Sequence, residues 1–302
     1  MRAAVLVLTG HLAAAMAANI TCAEGLYMLC GRPSGAPAIS PNVTLYGPDN
    51  TTGVGFVADK IAAQIPGSIV AGIEYPASDP DPDNGPFNLT TYYLSENQGV
   101  QATMNQVTAY HAACPNSQIA LIGFSQGAQI IADALCGGIG PDVIPGAKFN
   151  SSVPLPVSLI ESSVLAIALI ADPTHVANTT YDVGNSTNNG VIPRANTTVC
   201  AAYSDRMQSY CEANDFFCDS GNSTAIHLAE ANTFEDQVVQ FVVNRWTNYT
   251  ASKSGSSQSS SLPSPTPSST TKPNAANRGL SVSQTTLWSS AGILMAALAV
   301  LG

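Results

Sequence analysis

Along the chain, continuous apolar runs of strand length alternate with longer stretches whose apolar residues recur every three to four positions. Leu26–Cys30 is a short apolar run that breaks into Gly31-Arg32-Pro33-Ser34-Gly35, and Thr52–Gln64 then reads as a helix. Ser68–Tyr75 is rich in β-formers and ends at Pro76; Gln98–Ala113 has helical spacing and stops at Cys114-Pro115. Gln118–Phe124 reads as a buried strand, and Gln126–Leu135 as the helix after it, halted by Gly137-Gly138. Ser163–Ile170 is another buried strand, ending at Ala171-Asp172-Pro173. A loop-rich region leads to a brief strand candidate at Gln208–Cys211, and Leu228–Trp246 closes the pattern as an amphipathic helix. There is no internal repeat. Such alternation predicts an α/β fold, a mostly parallel sheet with helices on both faces. Chemistry in such a sheet sits beyond the carboxyl ends of the strands.

The two ends depart from this pattern. Arg2, the apolar Ala3–Leu8 and Leu12–Ala15, and the small residues Ala15-Met16-Ala17 read as a signal peptide over 1–18. The stretch is too short and Ala-rich for a bilayer span, which needs about 20 apolar residues. At the other end, 251–273 is a linker dominated by Ser, Pro and Thr, too polar to offset its chain entropy. The small residues Asn274-Ala275-Ala276, a polar spacer and the apolar tail Leu287–Leu301 follow. That order is a glycosylphosphatidylinositol (GPI) attachment signal over 274–302, with Asn274 as the expected anchor residue. The tail is short and nothing basic follows it, which argues against a membrane helix.

The expected folded domain, 19–250, is ample for one α/β core. The net charge of −10 with only 10% charged residues argues against nucleic-acid partners and against binding to anionic lipid heads. Asn42, Asn50, Asn88, Asn150, Asn178, Asn185, Asn196, Asn222 and Asn248 begin Asn-x-Ser/Thr sequons, several of which are expected to carry glycans on a secreted chain. The seven cysteines are expected to be mostly paired, with at least one left over. The spacing of Cys211 and Cys218 invites a local disulfide.

Gly123-Phe124-Ser125-Gln126-Gly127 is a G-x-S-x-G motif in the context its mechanics need, a buried strand before and a helix after. Glycines flanking a tight strand-to-helix turn let it present a strained Ser125 as nucleophile. A Ser hydroxyl needs a base, usually a histidine, and the chain order of this elbow (Ser, acid, His) sets aside His111. His227, expected in a loop before the last helix, is the favoured base, with His175 the alternative. Asp215, inside the Cys211–Cys218 loop, is the favoured acid, with Asp219 and Asp205 as competitors. The N–H of Gln126 is one expected oxyanion donor, and Gly31–Gly35 is placed to supply another.

At these residues the chain resembles the cutinase and acetylxylan esterase family, in which Gln follows the nucleophile. Cys114-Pro115, Glu74-Tyr75-Pro76-Ala77, Ala134-Leu135-Cys136-Gly137-Gly138, Asp172-Pro173-Thr174-His175, Tyr181-Asp182-Val183-Gly184 and Ser209-Tyr210-Cys211 fall in the family's order. The resemblance covers roughly Cys22 to Trp246. It implies a lidless three-layer α/β/α hydrolase with a triad of Ser125, Asp215 and His227. It also implies Ser34 as the oxyanion partner of Gln126, a Cys211–Cys218 disulfide, and a bond from Cys114 to Cys22 or Cys30. A Cys136–Cys200 pair is an expectation that neither spacing nor resemblance carries. This chain departs from the family pattern at Asn214, at Pro33-Ser34-Gly35 and at His227-Leu228-Ala229-Glu230, where the family often has His-Gln-Gly-Tyr.

The expected protein is a secreted, monomeric serine esterase held at the plasma membrane or wall by its lipid anchor. It needs no cofactor or metal and acts on an esterified polymer. Motifs at Ala134–Gly138 and Asp172–Gly184 lean toward deacetylation of xylan or a related wall polysaccharide over cutin or lipid-like esters. A catalytically silent wall glycoprotein is the rival from another class.

Overall fold

The computed structural model describes residues 20–36, 53–80, 89–138 and 152–257. The chain divides into two compact units, Met1–Gln258 and Ser259–Gly302, and every described residue belongs to the first. The expected signal sequence over 1–18, the sequons at Asn42, Asn50, Asn88 and Asn150, and the expected anchor residue Asn274 with the tail after it lie outside the described residues.

The first unit runs β1 (Leu26–Gly31), α1 (Val54–Gln64), β2 (Ile69–Gly72), α2 (Leu89–Ala113), β3 (Gln118–Phe124) and α3 (Gln126–Cys136). It continues with α4 (Val157–Ser163), β4 (Val164–Ile170), β5 (Asp182–Gly184), α5 (Thr198–Ala201), β6 (Met207–Cys211), α6 (Thr224–Thr233) and α7 (Glu235–Ser257). The strands form one sheet in the order β2-β1-β3-β4-β6-β5, parallel at every pairing.

Both faces of the sheet are covered, which is why its central strands carry no polar alternation. All seven residues of β3 and all seven of β4 are buried. The period of two survives in where they point. Ile119 and Leu121 pack with Val100 and Val107 of α2 and Ile130, Ile131 and Leu135 of α3. Ala120, Ile122 and Phe124 face the other way, toward Val54, Val57 and Ile61 of α1 and Val238 and Val242 of α7. Two cores on opposite faces of one sheet make the three layers.

Three disulfides join Cys22 to Cys114, Cys136 to Cys200 and Cys211 to Cys218. Cys30 is the one free cysteine among the described residues. It lies buried in β1, and burial pushes its thiol up to about 12, so it stays protonated and unreactive.

Several boundaries differ from the sequence reading. Helix α2 begins nine residues before Gln98, the pattern at Leu228–Trp246 resolves into two helices meeting at Phe234, and α7 continues through Ser257 into the Ser-rich stretch. Extending an existing helix costs far less than starting one, so polar residues continue it.

A buried polar cluster sits where α2 meets α3. Asp133 of α3 is fully buried and pairs with the guanidinium of Arg194 at 2.6 Å, while Arg194 also donates to Gly137 O at 2.6 Å and Thr174 Oγ1 at 3.0 Å. Glu96 of α2 is buried beside Asp133; burial first, and the neighbouring Asp133 next, push its carboxyl up to about 10. The folded state thus keeps a proton that the unfolded chain releases above its ordinary 4.5. A group raised in this way contributes stability in full below the unfolded value and loses it as pH rises toward the folded one. The Glu96→Gln variant is therefore expected to show a shallower decline in Tm than the parent between about pH 5 and about pH 9. An unchanged decline, measured by thermal unfolding across that range, would refute the protonated assignment.

Candidate active site

The site forms at the carboxyl edge of the sheet. Gly31 at the end of β1 is in register with Gly123 near the end of β3, so the segments that follow emerge side by side. Between them a methyl group on Gly127 would collide with the carbonyl of Gly31, and only glycine lets the start of α3 lie against β1. This packing explains the second glycine of the G-x-S-x-G motif.

Ser125 has φ 55 and ψ −121, a conformation unfavourable for any residue with a side chain. Its N–H donates to Ile170 O at 2.9 Å, and its carbonyl accepts from Ala128 and Gln129 of α3, so the turn is locked on both sides. The hydroxyl is directed at His227: Ser125 Oγ lies 3.0 Å from His227 Nε2, and Nδ1 of the same ring lies 2.9 Å from Asp215 Oδ2. Residues 125, 215 and 227 therefore meet in one line at one sheet edge.

The sequence reading places His227 in a loop, but it stands in the first turn of α6, whose Ser223 N-cap accepts from Ile226 N at 3.2 Å. Its ring is flanked by Phe217 at 4.6 Å and Phe124 at 5.3 Å between centroids. The imidazole is thus fixed in place rather than swinging in from a mobile segment.

Asp215 is fully buried. Its Oδ1 accepts from Phe217 N at 2.6 Å and Cys218 N at 2.7 Å, both inside the loop closed by Cys211–Cys218. Burial opposes its ionisation. The hydrogen bond and charge of His227, the Cys218 N–H and a contact with Glu230 outweigh that and hold the carboxyl below its usual range. Asn214, a departure from the family pattern, has φ 71, in the left-handed region that Asn tolerates better than most residues.

The competitors have other tasks. Asp219 accepts from Ser186 Oγ, Thr187 N, Asn188 N and Asn214 N, tying the acid loop to the segment after β5. Asp205 is exposed and pairs with Arg206 and Arg245. His175 Nδ1 meets Ser209 Oγ at 3.3 Å, and His111 Nδ1 meets Ser163 Oγ at 2.5 Å.

Gln126 opens α3, where the first N–H groups have no partner within the helix and the helix dipole adds positive potential. Its side chain faces inward, with Oε1 accepting from Ser95 Oγ at 3.2 Å. Ser34 lies three residues beyond Gly31, as Gln126 lies three beyond Gly123, on the neighbouring strand. The turn bearing Ser34 is held by Arg32, buried with its guanidinium against the carbonyls of Ile73, Tyr75 and Ala36 and 4.7 Å from the Tyr75 ring centroid. Gly35 N, donating to Ala77 O at 2.8 Å, closes the same turn.

Sequence reasoning missed Arg32, Asp219 and Glu230 as supports of the site. Each is a buried charged residue type, but burial of single polar positions leaves no periodic signal. Cys211, Cys218 and Glu230 bring candidate ligand atoms within 4.8 Å of one another, yet both sulfurs are in a disulfide and offer no thiolate to a metal.

A family model described as Cutinase matches residues 46–246. Cutinase 11 of Verticillium dahliae is 33% identical over 208 residues, covering 67% of this chain and 68% of that protein. The acetylxylan esterase of Hypocrea jecorina is 31% identical over 259 residues, covering 83% of this chain and 80% of its own. A solved acetylxylan esterase structure superimposes with a TM-score of 0.60 at 28% identity, covering 75% of this chain and all of that one (100%). The chain therefore belongs to the cutinase family and is a serine carboxylic ester hydrolase.

Proposed function

We propose that the protein hydrolyses acetyl esters of xylan or a related wall polysaccharide through a triad of Ser125, His227 and Asp215. The observation that carries this reading is the continuous line from Asp215 Oδ2 to His227 Nδ1 and from Nε2 to Ser125 Oγ, at 2.9 and 3.0 Å. Neutral His227, its Nδ1–H fixed on Asp215, takes the Ser125 proton at Nε2 as Oγ attacks the ester carbonyl. The Gln126 N–H, with the Ser34 hydroxyl or N–H, receives the oxyanion. Collapse breaks the ester C–O bond while His227 returns the proton to the departing alcohol, leaving an acyl-Ser125 that water resolves by the reverse relay. Every step is proton transfer and acyl transfer among these side chains.

A fluorophosphonate probe is expected to label Ser125 in the folded protein, and Ser125→Ala to cut kcat by about 10⁴-fold or more. Loss of the Ser34 hydroxyl in Ser34→Ala is expected to cost about 10²–10³-fold. Absence of a Ser125 adduct would instead favour a silent wall glycoprotein.

A second reading has its own observation. Phe216 in the acid loop is 42% exposed and Leu228 next to His227 is 73% exposed, an apolar rim suited to cutin-like or lipid-like esters. A series of p-nitrophenyl esters separates the readings, with acetate expected to give the highest kcat/KM. A preference for long acyl chains that Leu228→Ser abolishes would transfer the assignment to lipid-like substrates.

We further propose that the chain is secreted, cleaved after residue 18, and anchored by GPI at Asn274. The sequons at Asn178, Asn185, Asn196, Asn222 and Asn248 are all on exposed residues, as glycan attachment needs. Among the described residues no helix is long and apolar enough to cross a membrane. Phosphatidylinositol-specific phospholipase C is expected to release activity from intact cells. Activity that stays bound after that treatment, but leaves with detergent, would sink the anchor.

A further inference from the structure

Glu230 lies one turn after His227 on α6, so the two side chains leave the same face of the helix. It is fully buried. Its Oε1 accepts from Glu212 N at 2.9 Å and lies 3.3 Å from Cys218 Sγ, a disulfide sulfur that carries no proton. Its Oε2 is buried with no N–H or O–H donor among the described residues. What Glu230 does meet, side chain to side chain, is the carboxylate of Asp215.

Two carboxyl groups in contact, away from water, cannot both be ionised. The donors decide which one keeps the proton. Asp215 receives the Phe217 and Cys218 N–H groups and His227, whereas Glu230, among the described residues, receives only the Glu212 N–H. The proton therefore belongs on Glu230, and the atom with nowhere else to direct it is Oε2.

We propose that Glu230 is a positioning residue of the esterase: a neutral carboxylic acid whose Oε2–H donates to Asp215, fixing the carboxylate that orients His227. The inference rests on the triad reading above. Two backbone N–H groups, the imidazole and the acid together occupy the lone pairs of Asp215, so its plane cannot turn away from Nδ1. A donated O–H also spreads the Asp215 charge, which lowers its tendency to take the imidazole proton and keeps the ion pair in the transition state.

The titratable groups facing Glu230 are Asp215 and Glu212 from the acid loop, with His227 on its own helix. Burial first, then the neighbouring Asp215 and Glu212, push its carboxyl up to about 10, against the Glu212 N–H that pulls it down. The folded state holds this proton from the ordinary 4.5 up to about 10. When pH climbs through the upper value, a second charge appears beside Asp215 and the donor is lost. Activity should fall there.

Glu230→Gln keeps a neutral donor of the same shape, and Glu230→Leu removes it. Gln is expected to retain kcat within about threefold of the parent, with KM unchanged. Leu is expected to lose about tenfold to a hundredfold in kcat with KM within about twofold, and to be labelled by a fluorophosphonate correspondingly more slowly. The parent should show an alkaline fall in kcat near pH 10 that Gln lacks. A residue that merely fills space would lower Tm in Leu without moving the kcat of folded enzyme or the pH limb of Gln. Equal kcat in parent and Leu overturns the proposal, as does a Gln variant with the alkaline limb intact. If Leu does not fold, the Gln profile decides alone. Failure of the parent itself to label at Ser125 overturns the triad, and this inference with it.

Discussion

A carboxylate with no access to water, Asp215, sets the terms for this end of the molecule. Burying an unpaired charge costs several kcal/mol, so its surroundings must replace the water it has lost. They do so with donors of fixed geometry: the N–H groups of Phe217 and Cys218 across a loop closed by Cys211–Cys218, and the ring of His227. The loop is then fastened from outside, where Asp219 takes the Asn214 N–H and the residues after β5. Because each donor is held by covalent closure or secondary structure, little reorganisation remains when His227, as the proposed base, acquires charge. Preorganisation of that kind is the largest single source of catalytic rate in acyl-transfer enzymes.

Ser125, the proposed nucleophile, depends on a different constraint, the distance between adjacent strands. Strands β1 and β3 are neighbours, so the start of α3 must pass over the end of β1, and Gly127 against Gly31 is the only side-chain-free way to do it. That contact fixes the elbow in which Ser125 is strained. The helix it opens leaves the Gln126 N–H without an intrahelical partner, at the end of the strand next to the one that leads to Ser34. Arg32 couples this turn to the segment after β2 through the carbonyls of Ile73 and Tyr75, so loops from two strands hold the proposed oxyanion cradle. The proposed nucleophile and cradle thus come from sheet order, while the proposed acid and base come from the disulfide loop and the cap of α6.

How much of this was legible follows from which residues carry a pattern. Gln118–Phe124 matches β3 residue for residue, because a strand buried on both faces is a continuous apolar run. The start of α2 was hidden because Ser95 and Glu96 lie on its buried stripe, one serving Gln126 and the other Asp133. Polar residues on an inward face break the periodicity that identifies a helix. The three-residue β5 and the short α4 and α5 fall below the length at which period can be counted. His227 was legible by chain order and illegible by position, since the Ser223 cap two residues after Gly221 resembles a loop. Asn214, a departure when read as a letter, suits its position once its φ of 71 is seen, because Asn tolerates the left-handed region better than most residues.

The fold uses one device twice, and the difference between the two copies separates structure from catalysis. On one face Glu96, a neutral acid, leans on Asp133; at the sheet edge Glu230 leans on Asp215. Each carboxylate also has a basic partner, Arg194 at 2.6 Å in the first case and His227 at 2.9 Å in the second. A guanidinium never gives up its proton in a protein, so Arg194 cannot serve as a base and can only hold α3 and the loop after β4 together. An imidazole passes between neutral and charged forms, so in the proposed mechanism the His227 pair becomes an ion pair only while the proton taken from Ser125 is resident. The same buried carboxyl couple is therefore inert beside arginine and reactive beside histidine. In the proposed mechanism the chemistry comes from the choice of base, and the acid pair beneath it supplies the fixed negative field against which that base can work.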